Sequence, residues 1–185
     1  MTGPTNLSEL REEGWRGVPA APGVYWWFFP VTALQHFKIA DFCPIDRLNL
    51  RIAPDGKVCL YHGLASSLVE RVKWHAAQKL TMNNLRSGYL STFRLTLLAL
   101  NGFDYSRGAE SIDTFFDALS VSWQTTETRQ SAEELERAEL GGAYHYPLNI
   151  AGNSCAELRG FLGHLKLARS GYKQFHLSMR QQHGA

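Results

Sequence analysis

Residues 23–29 read Gly-Val-Tyr-Trp-Trp-Phe-Phe and stand between Pro22 and Pro30. β-Branched and aromatic side chains favour extended backbone, and a proline at each end bounds the run. Both alternating faces are apolar, so the segment is expected to be a central strand covered on each side. Working outward, the Asp55-Gly56 turn leads into a second strand over 57–62, KVCLYH, which Gly63 is expected to end. From Ser66 to Leu80 the apolar residues Leu68, Val72, Ala76 and Leu80 recur at helical spacing. Residues 90–100, LSTFRLTLLAL, read as an apolar core helix, 111–119 as a short helix and 121–126 as a third strand. Ser131 with Glu134 has the form of a capping box, opening a helix that stops at Gly141-Gly142. Residues 155–180 suggest one or two helices broken near Ser170-Gly171. This order makes an α/β or α+β domain around a small sheet. Residues 1–21 read as an irregular lead-in with one short helix. Residues 22–150 form the main domain, with an insertion over 31–56, and 151–185 form a basic helical extension.

Length and composition exclude several classes. A chain of 185 residues with 44% hydrophobic and 19% charged residues can bury a full core without disulfides. The formal net charge is only +2, so nucleic-acid binding would need a local basic face rather than a polycation. The three cysteines, Cys43, Cys59 and Cys155, form no Cys-x-x-Cys pair, which disfavours a disulfide scaffold or a Cys-type zinc site. The start, MTGPTNLSELREEGW, lacks the basic and apolar regions of a signal peptide. The longest apolar stretch, Val24 to Val31, is far short of the roughly 20 residues that span a membrane. A cytoplasmic protein with no membrane segment is the expectation.

Taken singly, the polar residues near the strands carry little. A tyrosine in an aromatic strand is usually core, and a helix glutamate is usually solvated. Their order carries more. Tyr25 lies in the first strand, and Tyr61 in the second, just before Gly63. Arg71 and His75, one helical turn apart, then project side by side at the edge of the Leu68/Val72/Ala76 face. Arginine offers a planar fork for phosphate oxygens, and a tyrosine beside positive charge can serve as acid or base. The constellation suits phosphate chemistry.

It also resembles the GIY-YIG nucleases. The first motif stands as Gly23-Val24-Tyr25 and the second as Tyr61-His62-Gly63. Arg71 and His75 follow at the spacing of the restriction-enzyme members. Then come an acidic helix, LERAEL, with Glu136, and Pro147-Leu148-Asn149. The resemblance covers about 23–150. The segment LSTFRLTLLAL is similar to a Ser-Thr-x-Arg-x-x-Leu stretch of some stand-alone members and singles out Arg94. Two features depart from the pattern. His62 replaces the usual Ile or Val, and the tyrosine motifs are further apart than in the common form.

What the resemblance implies is a small, mostly antiparallel three-stranded sheet flanked by helices, with extra C-terminal helices. It implies hydrolysis of DNA phosphodiester bonds with one Mg2+ (or Mn2+). Glu136 would hold the metal, with Glu139 as the fallback. Tyr25 would take the proton from the attacking water, assisted by Tyr61, although which tyrosine is the base stays open at this level. Arg71 would neutralise the phosphate, His75 would orient Tyr25 or bond the phosphate, and Asn149 would brace the site. The tail carries five basic residues against Glu157 alone, so Lys166, Arg169 and Lys173 are expected to track DNA. The reading is an endonuclease of restriction or defence type. A homodimer or sequential nicking would cut both strands. The alternative is a silent domain of the same fold that binds nucleic acid or a protein.

Overall fold

A computed structural model describes residues 2–105 and 108–183. The chain begins with a two-residue strand β1 (Thr5–Asn6) and helix α1 (Leu7–Glu12), followed by strand β2 (Gly23–Phe29). The insertion holds helix α2 (Ala33–His36) and two 3-10 turns. Strand β3 (Val58–Ala65) then leads into helices α3 (Leu68–Ala77), α4 (Met82–Ser87), α5 (Thr92–Asn101) and α6 (Gly108–Asp117). Strand β4 (Ser120–Thr125) and helices α7 (Arg129–Leu140) and α8 (Arg159–His183) complete it.

The strands form one antiparallel sheet in the order β1-β4-β2-β3. It has four strands rather than the expected three. The extra one comes from the lead-in, where Thr5 and Asn6 pair with Val121 and Ser120 on the β4 edge. Leu7 and Leu10 of α1 are fully buried in the main core, so this segment is ordered by packing that no local pattern encodes. Strand β2 is central, and every one of its residues is buried. Tyr25, Trp27 and Phe29 face a large core built with α3, α5 and α6. Val24, Trp26 and Phe28 face a smaller cluster with Cys59, Ala132 and Tyr146, under α7.

Three local expectations are corrected. Strand β3 runs through Gly63 to Ala65, because Gly63 pairs with Tyr25 and continues the ladder. Helix α7 starts before Ser131. Thr128 is its N-cap, and the Thr128 hydroxyl accepts the Ser131 N–H, so a hydroxyl one turn earlier supplies the cap. Helix α8 continues unbroken through Ser170-Gly171. Its buried Phe161, Leu162 and Leu165, with Leu158 just before its start, and the Tyr172 bond to the Phe103 carbonyl at 2.7 Å hold it against the domain. That packing outweighs the modest cost of a glycine in a helix.

The β2–β3 register contains a shift. Trp27 opposes Tyr61 and Phe28 opposes Cys59, which leaves Leu60 as an extra residue. This bulge turns Tyr61 onto the same face as Tyr25 and Trp27. Beyond it, Tyr25 folds over Gly63. A methyl group at Gly63 would lie 2.5 Å from the Tyr25 hydroxyl oxygen and 2.7 Å from its ring carbon. The Gly63→Ala variant should therefore lose about 2 kcal/mol, because the neighbouring ring is buried and cannot swing away. A lowered urea midpoint with an unchanged far-ultraviolet spectrum is the expected readout.

Candidate active site

The side chains of the site come from two strands, three helices and the loop after α7, and the core brings them together. Tyr25 is 2% exposed, and its hydroxyl lies 2.8 Å from His75 Nε2 on α3. Tyr61, partly exposed, stacks on Phe93 at 4.2 Å between ring centroids and lies 6.4 Å from the Tyr25 ring. Arg71 sits one turn before His75, with its guanidinium 4.5 Å from the Trp74 ring centroid. It stands beside a surface cleft with Trp74 and Tyr89. A second cleft opens on the free edge of β3. Tyr61, Phe93, Glu136, Leu148, Asn149 and Arg169 line it.

Asn149 completes the β3 edge. Its Oδ1 accepts the His62 N–H at 2.8 Å, and its Nδ2 donates to the His62 carbonyl at 2.7 Å. The Leu148 N–H adds a bond to the Leu60 carbonyl. One side-chain amide thus stands in for a peptide group and satisfies a strand edge that would otherwise be open. This is a bracing role, at the floor of the cleft.

The titratable groups are shifted mainly by burial. Burial raises the Tyr25 hydroxyl well above its ordinary 10.0, Tyr61 adds to the rise, and Arg71 opposes it. Tyr61 is also raised, by burial and then by Glu136, while Arg71, the neighbouring Tyr25 hydroxyl and Arg169 oppose the rise. His75 is lowered to about 3 by burial, and Arg71 adds to the fall, so its imidazole is neutral. Its Nδ1 lies 2.6 Å from Ser91 Oγ. Glu136 is raised by burial and by Glu133. No described residue forms an ion pair or hydrogen bond with its carboxylate.

Two other expected residues are placed differently. Arg94 is 1% exposed and cannot reach a nucleic acid. Its guanidinium binds the Ala76 carbonyl at 2.9 Å, ending α3, and pairs with Asp113 at 2.5 Å. Its buried position is a structural one. Glu139, the fallback ligand, is bound by Arg51 and by the Tyr146 hydroxyl at 3.0 Å. Its charge is already neutralised, away from the tyrosines. On α8, Lys166 is exposed, Lys173 is half-buried, and Arg169 turns into the β3 cleft. No described carboxylate pairs with Arg169, and burial lowers its affinity for a proton while Tyr61 raises it.

The match to known proteins follows this geometry. The model of the GIY-YIG catalytic domain matches residues 23–171. The chain belongs to the GIY-YIG family. No curated protein and no solved structure matches it. The GIY-YIG match begins at the β2 strand that carries Tyr25 and ends inside α8, two residues past Arg169. Family membership carries nuclease activity, a nucleic-acid substrate and a divalent metal in general terms. No described helix is long and apolar enough to cross a membrane.

The residues fit a hard cation. Among the described residues, no group of three or more His, Cys, Asp or Glu forms a ready cage. Glu136 is instead a single unpaired carboxylate in a partly dried cleft, which suits Mg2+, an ion that takes few protein oxygens and keeps several waters. Ser91 is the site residue that the sequence reading missed. Its signal in the sequence is the serine that opens the Ser-Thr-x-Arg-x-x-Leu stretch, from which the reading takes Arg94 alone, at a place where a hydroxyl N-cap is common.

His62 is fully buried on the opposite face, between Trp26 and Tyr146. Its Nδ1 donates to the Tyr25 carbonyl at 3.1 Å, and its Nε2 has no partner. A second ring proton would be buried without an acceptor, and its pKa is lowered to about 3, chiefly by burial. His62 and His75 therefore bind protons more weakly in the folded chain than in the unfolded one. Their contribution to stability is complete above about pH 6.5 and is lost as pH falls from there toward 3. The urea midpoint should fall across this window, and it should fall less steeply in His62→Phe, which keeps a ring but titrates no proton.

Proposed function

We propose that this chain is a metal-dependent DNA endonuclease that hydrolyses phosphodiester bonds by tyrosine-assisted attack of water. The observation that carries the reading is the convergence of Tyr25, Tyr61, His75, Glu136 and Arg169 at the edge of β3. They come from two strands and three helices, so the sheet register and helix packing both have to cooperate to assemble them. A half-buried carboxylate and a half-buried arginine, neither of them paired among the described residues, both cost stability. A cation on one and a phosphate on the other would remove that cost.

In this reading Glu136 would hold one Mg2+ or Mn2+, which would supply Lewis-acid polarisation of the scissile phosphate and stabilisation of the leaving 3′-oxygen. The tyrosine pair accepts a proton from the attacking water. Arg71 and Arg169 bind phosphate oxygens from two sides of the tyrosines and oppose the charge that builds in the transition state. His75 aligns Tyr25, and Asn149 holds the β3 edge rigid beneath the site. Lys166 and Lys173 add phosphate contacts along α8. The enzyme acts in the cytoplasm, with a restriction or defence role. It cuts duplexes as a homodimer or by successive nicks, and the two routes differ in whether a nicked plasmid accumulates before the linear form.

Supercoiled plasmid should be cut with Mg2+ and left intact with EDTA. The Glu136→Gln variant should lose about a thousandfold in single-turnover rate with folding and DNA affinity intact, since an amide is a poor ligand for a hard cation. Glu139→Gln should lower the melting temperature, because it leaves Arg51 without its carboxylate, yet keep the cleavage rate. Rate loss in the second variant and not the first would move the metal site.

The α8 cations should separate into two kinds. Lys166→Gln and Lys173→Gln should flatten the salt dependence of binding by roughly 0.9 per lost contact and leave turnover at saturating DNA unchanged. Arg169→Gln should lower turnover even at saturation. Equal behaviour of all three would return Arg169 to the role of a simple affinity contact.

A further inference from the structure

Ser91 lies directly behind His75. It is fully buried, and Gln78 Oε1 accepts its N–H at 2.7 Å. Its Oγ accepts the Arg94 N–H at 3.1 Å and lies 2.6 Å from His75 Nδ1. A buried hydroxyl needs an acceptor for its own proton. Arg94 N–H is a donor, so among the described residues Nδ1 of His75 is the acceptor that Ser91 Oγ reaches. The His75 ring is neutral and carries one N–H. With Nδ1 accepting from Ser91, the ring proton sits on Nε2 and points at the Tyr25 hydroxyl oxygen 2.8 Å away. Tyr25 then has no acceptor on its His75 side. Its own O–H is then free to turn toward Tyr61, whose ring centroid lies 6.4 Å from that of Tyr25 on the same face of the sheet. The opposite polarity would leave the Ser91 hydroxyl hydrogen buried with no acceptor.

We infer that Ser91 is a positioning residue: it holds His75 as the Nε2–H tautomer, makes Tyr25 a hydrogen-bond donor to Tyr61, and leaves Tyr61 as the base. This rests on the nuclease reading above and deepens it. Tyr25 is shielded from the cleft, whereas Tyr61 lines it. Tyr61, whose O–H burial favours, first gives its proton to solvent. In the chemical step one O–H bond of water then breaks and its proton passes to the Tyr61 phenolate oxygen, which restores the phenol. The water oxygen bonds to phosphorus, the P–O bond to the leaving sugar breaks, and the leaving oxygen takes a proton from solvent. Tyr25 O–H and the charges of Arg71 and Arg169 stabilise the phenolate beforehand.

The test begins with nitrogen-15 imidazole spectra of the full chain, with His75 assigned by comparison with His75→Gln. A protonated Nε2 and a bare Nδ1 in the wild type are expected, and an Nδ1–H tautomer overturns the inference. The Ser91→Ala variant should shift this tautomer and slow single-turnover plasmid cleavage with Mg2+ by about 10- to 100-fold, at unchanged DNA affinity. Ser91→Thr keeps the hydroxyl and should restore both the tautomer and the rate to within about threefold. Thr81→Ala removes the cap of α4, a helix that carries none of the site residues, and should leave cleavage unchanged, which separates capping from positioning. Tyr61→Phe should lose more rate than Tyr25→Phe, and the reverse order overturns the assignment of the base. If the wild type cleaves no phosphodiester, the nuclease reading falls, while the spectrum still decides the polarity of the chain of bonds.

Discussion

The antiparallel pairing of β2 with β3, carried one residue out of step by the Leu60 bulge, is the constraint on which the rest depends. A strand alternates its side chains between faces, so if Leu60 were paired with Trp27 in the ladder instead of bulged out, Tyr61 would oppose Trp26 and fall on the other side of the sheet. The bulge returns it to the face of Tyr25. Gly63 then leaves room for the Tyr25 ring, and the ring can reach the His75 nitrogen. Two tyrosines, a histidine and the packing of α3 on the sheet are therefore consequences of one register.

The same residue types serve opposite ends in different places. Arg94 and Arg51 are matched with Asp113 and Glu139, and their charges are spent on holding helices and the insertion in place. Arg169 and Glu136 lie half-buried in one cleft without such partners. Half-buried charge with no such partner among the described residues is costly, and that cost is the physical basis of the nuclease reading proposed above. The neutral histidines follow the same logic. His62 and His75 sit where a second proton would find no acceptor or would meet Arg71.

The cleft owes its shape to a segment that is neither strand nor helix. The chain around 146–149 runs along the outer edge of β3, and the Asn149 amide takes up both hydrogen-bonding groups of His62. An edge strand satisfied in this way is stiff and unavailable for pairing with another chain. Helix α8 then lies across α5 and α4 and delivers Arg169 to the mouth of the cleft.

Local chemistry made much of this legible in the sequence. The aromatic run at 23–29 reads as a strand buried on both faces, and Tyr25, Tyr61, Arg71, His75, Glu136 and Asn149 stand in the order of the GIY-YIG pattern, with a longer gap between the two tyrosine motifs. What depends on distant partners was not legible. The fourth strand exists because Thr5 and Asn6 find the β4 edge more than a hundred residues away. The burial of Arg94, the engagement of Glu139 by Arg51 and the place of Ser91 behind His75 are decided by which helices pack together. The Leu60 bulge is a fact of register between two strands, and a single strand's sequence does not state it. Composition and spacing set which groups the site can use, because side-chain chemistry is local. Only the tertiary structure decided which of them are free, paired or protonated, because burial and partnership are properties of contacts between segments far apart in the chain.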